Sequence, residues 1–356
     1  MSGRSFAGRV PKPAYRAASW TTSRAASRAT SRARRPPVPP SRQRGIALLV
    51  AILLVAMGTI IAATIGYENA MAARRSTATF AFDQTLLIAE GGEALAAYGL
   101  REVKRATPQT TDLTQAWAKP FGPVEIVPGV MLDLTLEDVS GRFNINRLYD
   151  EQTGKPNAAA VAAFTNLLEI LQIEPKWTGY ILDWIDPDTQ PSTPDGAEDS
   201  VYLGQDPPYL VPNKYITSTS ELLALPGFGR DRYLKLAPYI TALPPDVKLN
   251  VCTASGPVLD AFMGGSQRTF SLDADALAKN RAMAGGCFPK MNTDYANAFE
   301  NKAAFTQVQG ELKEVSSYFR LTSHITIGST EFNLYSLLYQ EGTGNVRPIQ
   351  RSFAPD

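Results

Sequence analysis

From Ile46 to Ile65 the chain reads IALLVAILLVAMGTIIAATI, twenty consecutive residues without a charge. At about 1.5 Å of rise per residue such a helix spans about 30 Å, the hydrocarbon thickness of a bilayer. Upstream, residues 1–45 carry eleven Lys or Arg side chains and no Asp or Glu, and the first charge after the run is Glu68. Basic flanks stay on the cytoplasmic side of a membrane. A single pass is therefore expected, with residues 1–45 in the cytoplasm and the body outside it. Residues 1–41 are rich in Ser, Arg, Ala and Pro and lack a hydrophobic period, so they read as a disordered extension.

The remainder is a folding sequence: 44% of the 356 residues are hydrophobic and 19% charged. The formal net charge of +1 conceals an asymmetry, because beyond residue 45 there are 24 basic against 34 acidic side chains, a net of −10. The single histidine, His324, sits in the alternating stretch Leu321–Ile327, which suits a strand residue better than the base of a catalytic triad. The two cysteines, Cys252 and Cys287, form no Cys-x-x-Cys pair and are too few for a cysteine zinc site. They either pair, in an oxidising compartment, or remain buried thiols. A disulfide closing that loop contributes about 3–4 kcal/mol on a chain-entropy basis.

Past the apolar run the helical reading continues to about Arg105, where Pro108 ends it. Phe80, Leu87, Ala94 and Tyr98 step by seven, seven and four and share a helical face. Val124–Val127 and Val130–Leu136 flank Pro128-Gly129, a strand–turn–strand pattern. Ser317–Ile327 and Glu331–Gln340 flank Gly328-Ser329 and read as a second hairpin. Between these lie helical segments at Ala158–Leu171, Trp177–Ile185, Glu221–Leu225 and Arg230–Tyr239, which read as an insertion between the strands.

The densest chemistry falls between Asp183 and Asp206, with Asp186, Asp188, Asp195, Glu198 and Asp199 between them and no Lys or Arg from Trp177 to Asn213. Crowded carboxylates repel unless a cation or water separates them. An irregular, oxygen-rich loop is what calcium requires, with roughly six to eight ligands. Pro187 and Pro191 break the EF-hand pattern. The alternatives are a solvated acidic loop and, more remotely, a carboxylate pair for glycoside hydrolysis. A further motif, Leu225-Pro226-Gly227-Phe228-Gly229, resembles a helix-hairpin-helix turn, followed by Arg230, Arg232 and Lys235. In DNA-binding versions the glycine amides hold a phosphate. The acidic body argues against that use.

Three readings compete for Ile46–Ile65: a secretory signal, a plain anchor, and a type IV prepilin leader. Arg42-Gln43-Arg44-Gly45 abutting Ile46 resembles the prepilin peptidase site, with cleavage between Gly45 and Ile46. Val50 is then the fifth mature residue, where most pilins carry Glu. That departure resembles the K-type minor pseudopilins of type II secretion (general secretion pathway protein K). Asp138 to Asn146, with Ser140-Gly141-Arg142 and Asn144-Ile145-Asn146, resembles that family's signature, as do the acidic loop and the late hairpin.

The resemblance implies an α+β fold: a pilin-like long N-terminal helix on an antiparallel sheet, with an inserted all-α, SAM-like or helix-hairpin-helix-like domain. The expected layout is a removed leader at 1–45, a transmembrane half-helix at 46–65, a pilin-like domain at 66–150 and 249–356, and the helical insertion at 151–248. It implies calcium held by Asp186, Asp188, Asp195, Glu198 and Asp199. It also implies methylation of the Ile46 amine, no enzyme activity, and a body in the periplasm anchored to the bacterial inner membrane. The implied role is initiating or capping the pseudopilus at its tip. The implied partners are I- and J-type minor pseudopilins, the major pseudopilin filament, prepilin peptidase, and secreted cargo or the outer-membrane channel, with no nucleic acid. The rival is a membrane-anchored DNA-binding protein of competence type.

Overall fold

A computed structural model describes residues 46–264, 268–288, 295–299, 302–328 and 330–354. The expected leader, Gly45 included, and Ser329 of the second turn lie outside them. The chain divides into two compact units, one ending at Met71 and one beginning at Ala72. Helix α1 is Ile46–Ala106. The part of it in the first unit has its apolar side chains exposed, from Ile46 at 69% to Ile65 at 53%. It is long and apolar enough to cross a membrane.

In the second unit a five-stranded antiparallel sheet runs in the order β1 (Phe121–Val127), β2 (Val130–Asp138), β3 (Tyr318–Ile327), β4 (Thr330–Gln340) and β5 (Val346–Ser352). Strand order equals chain order, so the sheet is a meander interrupted once, between β2 and β3. Leu132, Ile325 and Phe332 lie opposite one another across three strands. Phe319, Leu321, Ser323 and Ile325 of β3 are buried, while Tyr318, Arg320, Thr322 and His324 between them face outward and are half-buried, the period of two expected of a one-sided sheet. Both hairpins fall where the glycines allow them, with φ of +80° at Gly129 and +60° at Gly328. Strand β5 adds to the two expected hairpins. Its Pro348 is tolerated because β5 is an edge and its ladder is irregular there.

Phe80, Leu87, Ala94 and Tyr98 share one face of α1, and it is an exposed one, with Phe80, Leu87 and Tyr98 at 71%, 68% and 57% exposure. The buried face of α1 is Thr85, Ala89, Gly92, Glu93, Ala96 and Leu100. Close approach explains the choice: a Cβ added at Gly92 would lie 2.8 Å from Leu134 Cδ2. Ala89, Gly92 and Ala96 let the helix sit close against the strands, with Leu100 packed in the same core.

The interruption holds α2 (Ala158–Ile170), α3 (Trp177–Ile185), α4 (Asp199–Tyr202), α5 (Gly229–Leu236), α6 (Gly256–Met263), α7 (Ala274–Met283) and α8 (Lys302–Val308). Its buried core runs from Phe143 through Phe164, Leu167 and Leu259 to Leu312. The helical core thus continues past 248, and the buried residues between 249 and 312 pack with it rather than with the sheet. The Asp138–Asn146 segment forms the seam. Asp138 accepts hydrogen bonds from Ser140 N, Asn250 Nδ2, Thr253 Oγ1 and Ser316 Oγ. Asn144 and Asn146 bond the backbone at Leu243, Pro244 and Ile216. These side chains stand in for ladder partners where the chain leaves the sheet, which satisfies backbone groups that burial would otherwise orphan.

Candidate metal centre

The acidic loop begins where α3 stops. Asp186 precedes Pro187 and adopts an extended conformation, φ −71° and ψ 155°, as a residue before proline favours. Asp183 lies in the last turn of α3 and Asp186 just past its end, and their carboxylates come to the same side. The loop then folds back over α3 through two close approaches. A Cβ at Gly179 would lie 2.2 Å from the Asp195 carbonyl, and one at Gly196 would lie 2.2 Å from Ser192 N and 2.4 Å from Asp183 Oδ2. Only glycine fits at either point.

Asp183, Asp186 and Glu198 meet beneath the loop, each offering an oxygen within 4.8 Å of the others. All three are buried, at 0%, 5% and 3% exposure. Asp183 is anchored by the amides of Ser192 and Ala197, the latter 2.7 Å from its Oδ2. Asp186 Oδ1 and both carboxylate oxygens of Glu198 have no hydrogen-bond partner among the described residues. Burial, then the charges of Asp188 and Asp183, pushes Asp186 up to about 7. Burial, then Asp183, Asp186, Asp188 and Asp199, pushes Glu198 up to about 7. Asp183 is also raised, chiefly by burial. Ionised carboxylates buried side by side without donors are costly. A hard cation resolves both the desolvation and the repulsion, and an all-oxygen donor set suits calcium or magnesium rather than a thiophilic metal.

Of the other named acids, Asp188 and Asp199 act on this centre through their charge. Asp188 is exposed, accepts the amide of Gln190, and acts on Asp186 through its charge. Asp195 is exposed and Asp199 half-buried, with Asp199 Oδ1 accepting the amide of Val211. Asp206 is exposed. Asp183 is at the margin of the acidic run in sequence and at the middle of the cluster in space. The signal for it is the three-residue spacing to Asp186 across the end of the helix. Two further buried oxygens without partners among the described residues, Tyr202 Oη and Asn213 Oδ1, belong to the same region and carry no signal in the sequence.

Elsewhere, Cys252 and Cys287 are joined by a disulfide with Cα atoms 4.6 Å apart. His324 is a strand residue whose Nδ1 pairs with Asn333 Oδ1 at 2.7 Å. In the glycine hairpin, Gly227 and Gly229 have φ of +78° and +77°. Arg232 is engaged by Glu174 through two bonds of 2.7 and 2.6 Å and lies over the Trp177 ring. That pairing holds Glu174 down at about 2. Arg230 and Lys235 are exposed. Ile46 and Val50 lie in the exposed apolar part of α1.

A family model described as type II secretion system protein K matches residues 141–245, which include the whole acidic loop. The type II secretion system protein K of Pseudomonas aeruginosa is 33% identical over 327 residues, covering 87% of this chain and 92% of its own length. That of Klebsiella pneumoniae is 30% identical over 312 residues, covering 85% and 94%. Among solved structures, a GspK-GspI-GspJ complex from enterotoxigenic Escherichia coli matches with a TM-score of 0.64 at 23% identity, covering 79% of this chain and all of the other. The last likeness is one of fold.

Proposed function

Because the chain belongs to the type II secretion system protein K family, we propose that it is a minor pseudopilin that starts or caps the pseudopilus at its tip. The observation that carries this is the double character of α1. Its uncharged first third is exposed and long enough to span a bilayer, while Thr85 to Leu100 bury one face against a sheet. Prepilin peptidase cuts between Gly45 and Ile46 and the new Ile46 amine is methylated. The apolar helix stays in the inner membrane and the folded body stands in the periplasm. Val50, at the fifth mature position, lacks the carboxylate that would pair with the amine of a subunit ahead. A subunit at the tip has none ahead of it. The partners are I- and J-type minor pseudopilins, as in the solved complex of similar fold, with the major pseudopilin filament below and secreted cargo or the outer-membrane channel above.

In this role the chain assembles and does not catalyse. Asp183, Asp186 and Glu198 hold calcium, with Asp188, Asp195 and Asp199 around them. The unpartnered oxygens of Asp186 and Glu198 support the fit. The bound ion cross-links α3 to the segment leading into α4, which stiffens the surface of the helical block. The competence-type DNA-binding reading is disfavoured by the acidic body and by the engagement of Arg232 with Glu174.

The test is the N-terminus of the protein taken from membranes of cells with an active prepilin peptidase, by intact mass and terminal sequencing. A chain that begins at a methylated Ile46 supports the pseudopilin reading. A chain that begins at Met1, or is cut beyond Ile65, removes it.

A further inference from the structure

Three buried carboxylates are few for a calcium ion, which takes roughly six to eight oxygens. Asp183 also spends lone pairs on Ser192 N and Ala197 N. A fourth carboxylate would add repulsion to a site that already holds three and feels Asp188 beside it. A neutral oxygen adds a ligand without that cost. The chain brings one from outside the acidic loop. Lys214 N bonds the Trp184 carbonyl, and Asn213 Nδ2 donates to the Asp188 carbonyl at 2.8 Å. These contacts hold residues 213 and 214 against the end of α3 and the start of the loop. The Asp188 carbonyl fixes which way the amide faces, because only the NH2 end can donate to it. The other end, Oδ1, is buried and has no hydrogen-bond partner among the described residues. Asn213 also has a φ of +47°, a left-handed conformation that asparagine tolerates better than most residues. Tyr202 Oη is likewise buried and unpartnered, but a phenol carries a proton it can donate to a carboxylate, whereas an amide oxygen can only accept.

We propose that Asn213 Oδ1 is a neutral ligand of the cation held by Asp183, Asp186 and Glu198, so that ion binding clamps the Val211–Ile216 segment onto the acidic loop. This rests on the calcium reading above. It gives Asn213 two duties: its nitrogen fixes the backbone at Asp188, and its oxygen completes the ion's shell.

Two substitutions separate the duties. Asn213→Gly keeps the left-handed backbone and removes both atoms. Asn213→Asp keeps an oxygen and removes the donor to Asp188. Each is made in the full chain, solubilised in detergent. Calcium affinity is measured by calorimetric titration. Terbium luminescence, sensitised by Trp184, is timed in H2O and in D2O to count waters on the ion. The expected result is that Asn213→Gly weakens calcium binding about tenfold or more and adds one coordinated water, while Asn213→Asp leaves the water count of the parent unchanged. The assignment is overturned if Asn213→Gly binds calcium as the parent does. It is also overturned if both variants weaken binding equally with the parent's water count, since Asn213 would then act only through Asp188. If the parent takes up neither ion, the calcium reading itself falls and the assignment falls with it.

Discussion

Glu93 in α1 and Arg351 in β5 form an ion pair of 2.6 Å across 258 residues of chain. The Glu93 side chain is only 5% exposed and also accepts the hydroxyl of Ser336, while Arg351 is 41% exposed and reaches Glu90 as well. The last strand is thereby tied to the spine helix, on the side of the sheet that buries Leu334 and Leu338. Removing the cation strands a buried carboxylate, which is costlier than removing the pair together. Arg351→Ala is expected to destabilise the protein by about 3 kcal/mol. Glu93→Gln, which leaves an amide able to bond Ser336, should cost about 1 kcal/mol. Denaturant unfolding of both variants decides it, and equal small losses would show that the pair does not hold β5.

Calcium should stabilise the protein more at pH 8 than at pH 5. Asp186 and Glu198 are raised to about 7, mainly by burial and then by neighbouring acids. Acids with folded-state pKa values above their unfolded values make the folded chain hold protons that the unfolded chain has released. Their contribution to the metal-free protein is therefore present below about pH 4 and is lost as pH rises to about 7. In the calcium-bound form proposed above, the ion would replace those protons. Melting temperatures with chelator and with excess calcium, at both pH values, give the comparison; a gap that does not widen with pH counts against the site.

Glu198→Gln should act in opposite directions on the two forms. It removes a buried, unpartnered charge, so the metal-free protein should melt higher than the parent at pH 8. It also removes a ligand, so calcium affinity should fall about tenfold or more. A variant less stable than the parent in chelator would show that the Glu198 carboxylate is held by donors of its own.

Changing Cys252 and Cys287 together to serine should lower stability by about 3–4 kcal/mol through the freed loop. Both cysteines are buried in the helical core, so each new hydroxyl adds to the loss. Equal unfolding midpoints for the oxidised parent and the double variant would mean that the loop is held without the bond.

On the tip placement proposed above, Val50→Glu should leave association with I- and J-type minor pseudopilins nearly unchanged, because a subunit at that place needs no carboxylate to be held from below. Co-purification from membranes is the measurement. Abolished association would mean that the position contacts those partners directly.

Properties set by local pattern are legible in the amino-acid sequence. An uncharged run of twenty residues defines the apolar part of α1 by length alone. Alternation over Phe319–Ile325 defines β3, and the glycines of the two hairpins mark where it and β2 turn. The crowding of acids without a nearby Lys or Arg points to the candidate metal centre. Properties set by proximity are not legible there. The period of Phe80, Leu87 and Tyr98 shows that they share a face but not which face packs, and the close approach of α1 to the sheet favours Ala89, Gly92 and Ala96. The end of the helical block at Leu312 follows from packing that no linker marks. Asp183 joins the cluster because the loop folds back at Gly179 and Gly196, and Asn213 reaches the Asp188 carbonyl because a segment 25 residues farther along the chain returns to it. Periodicity and composition act through neighbours in sequence. A ligand set, a helix face and a domain edge depend on which distant atoms come within bonding distance, and only the folded chain establishes that.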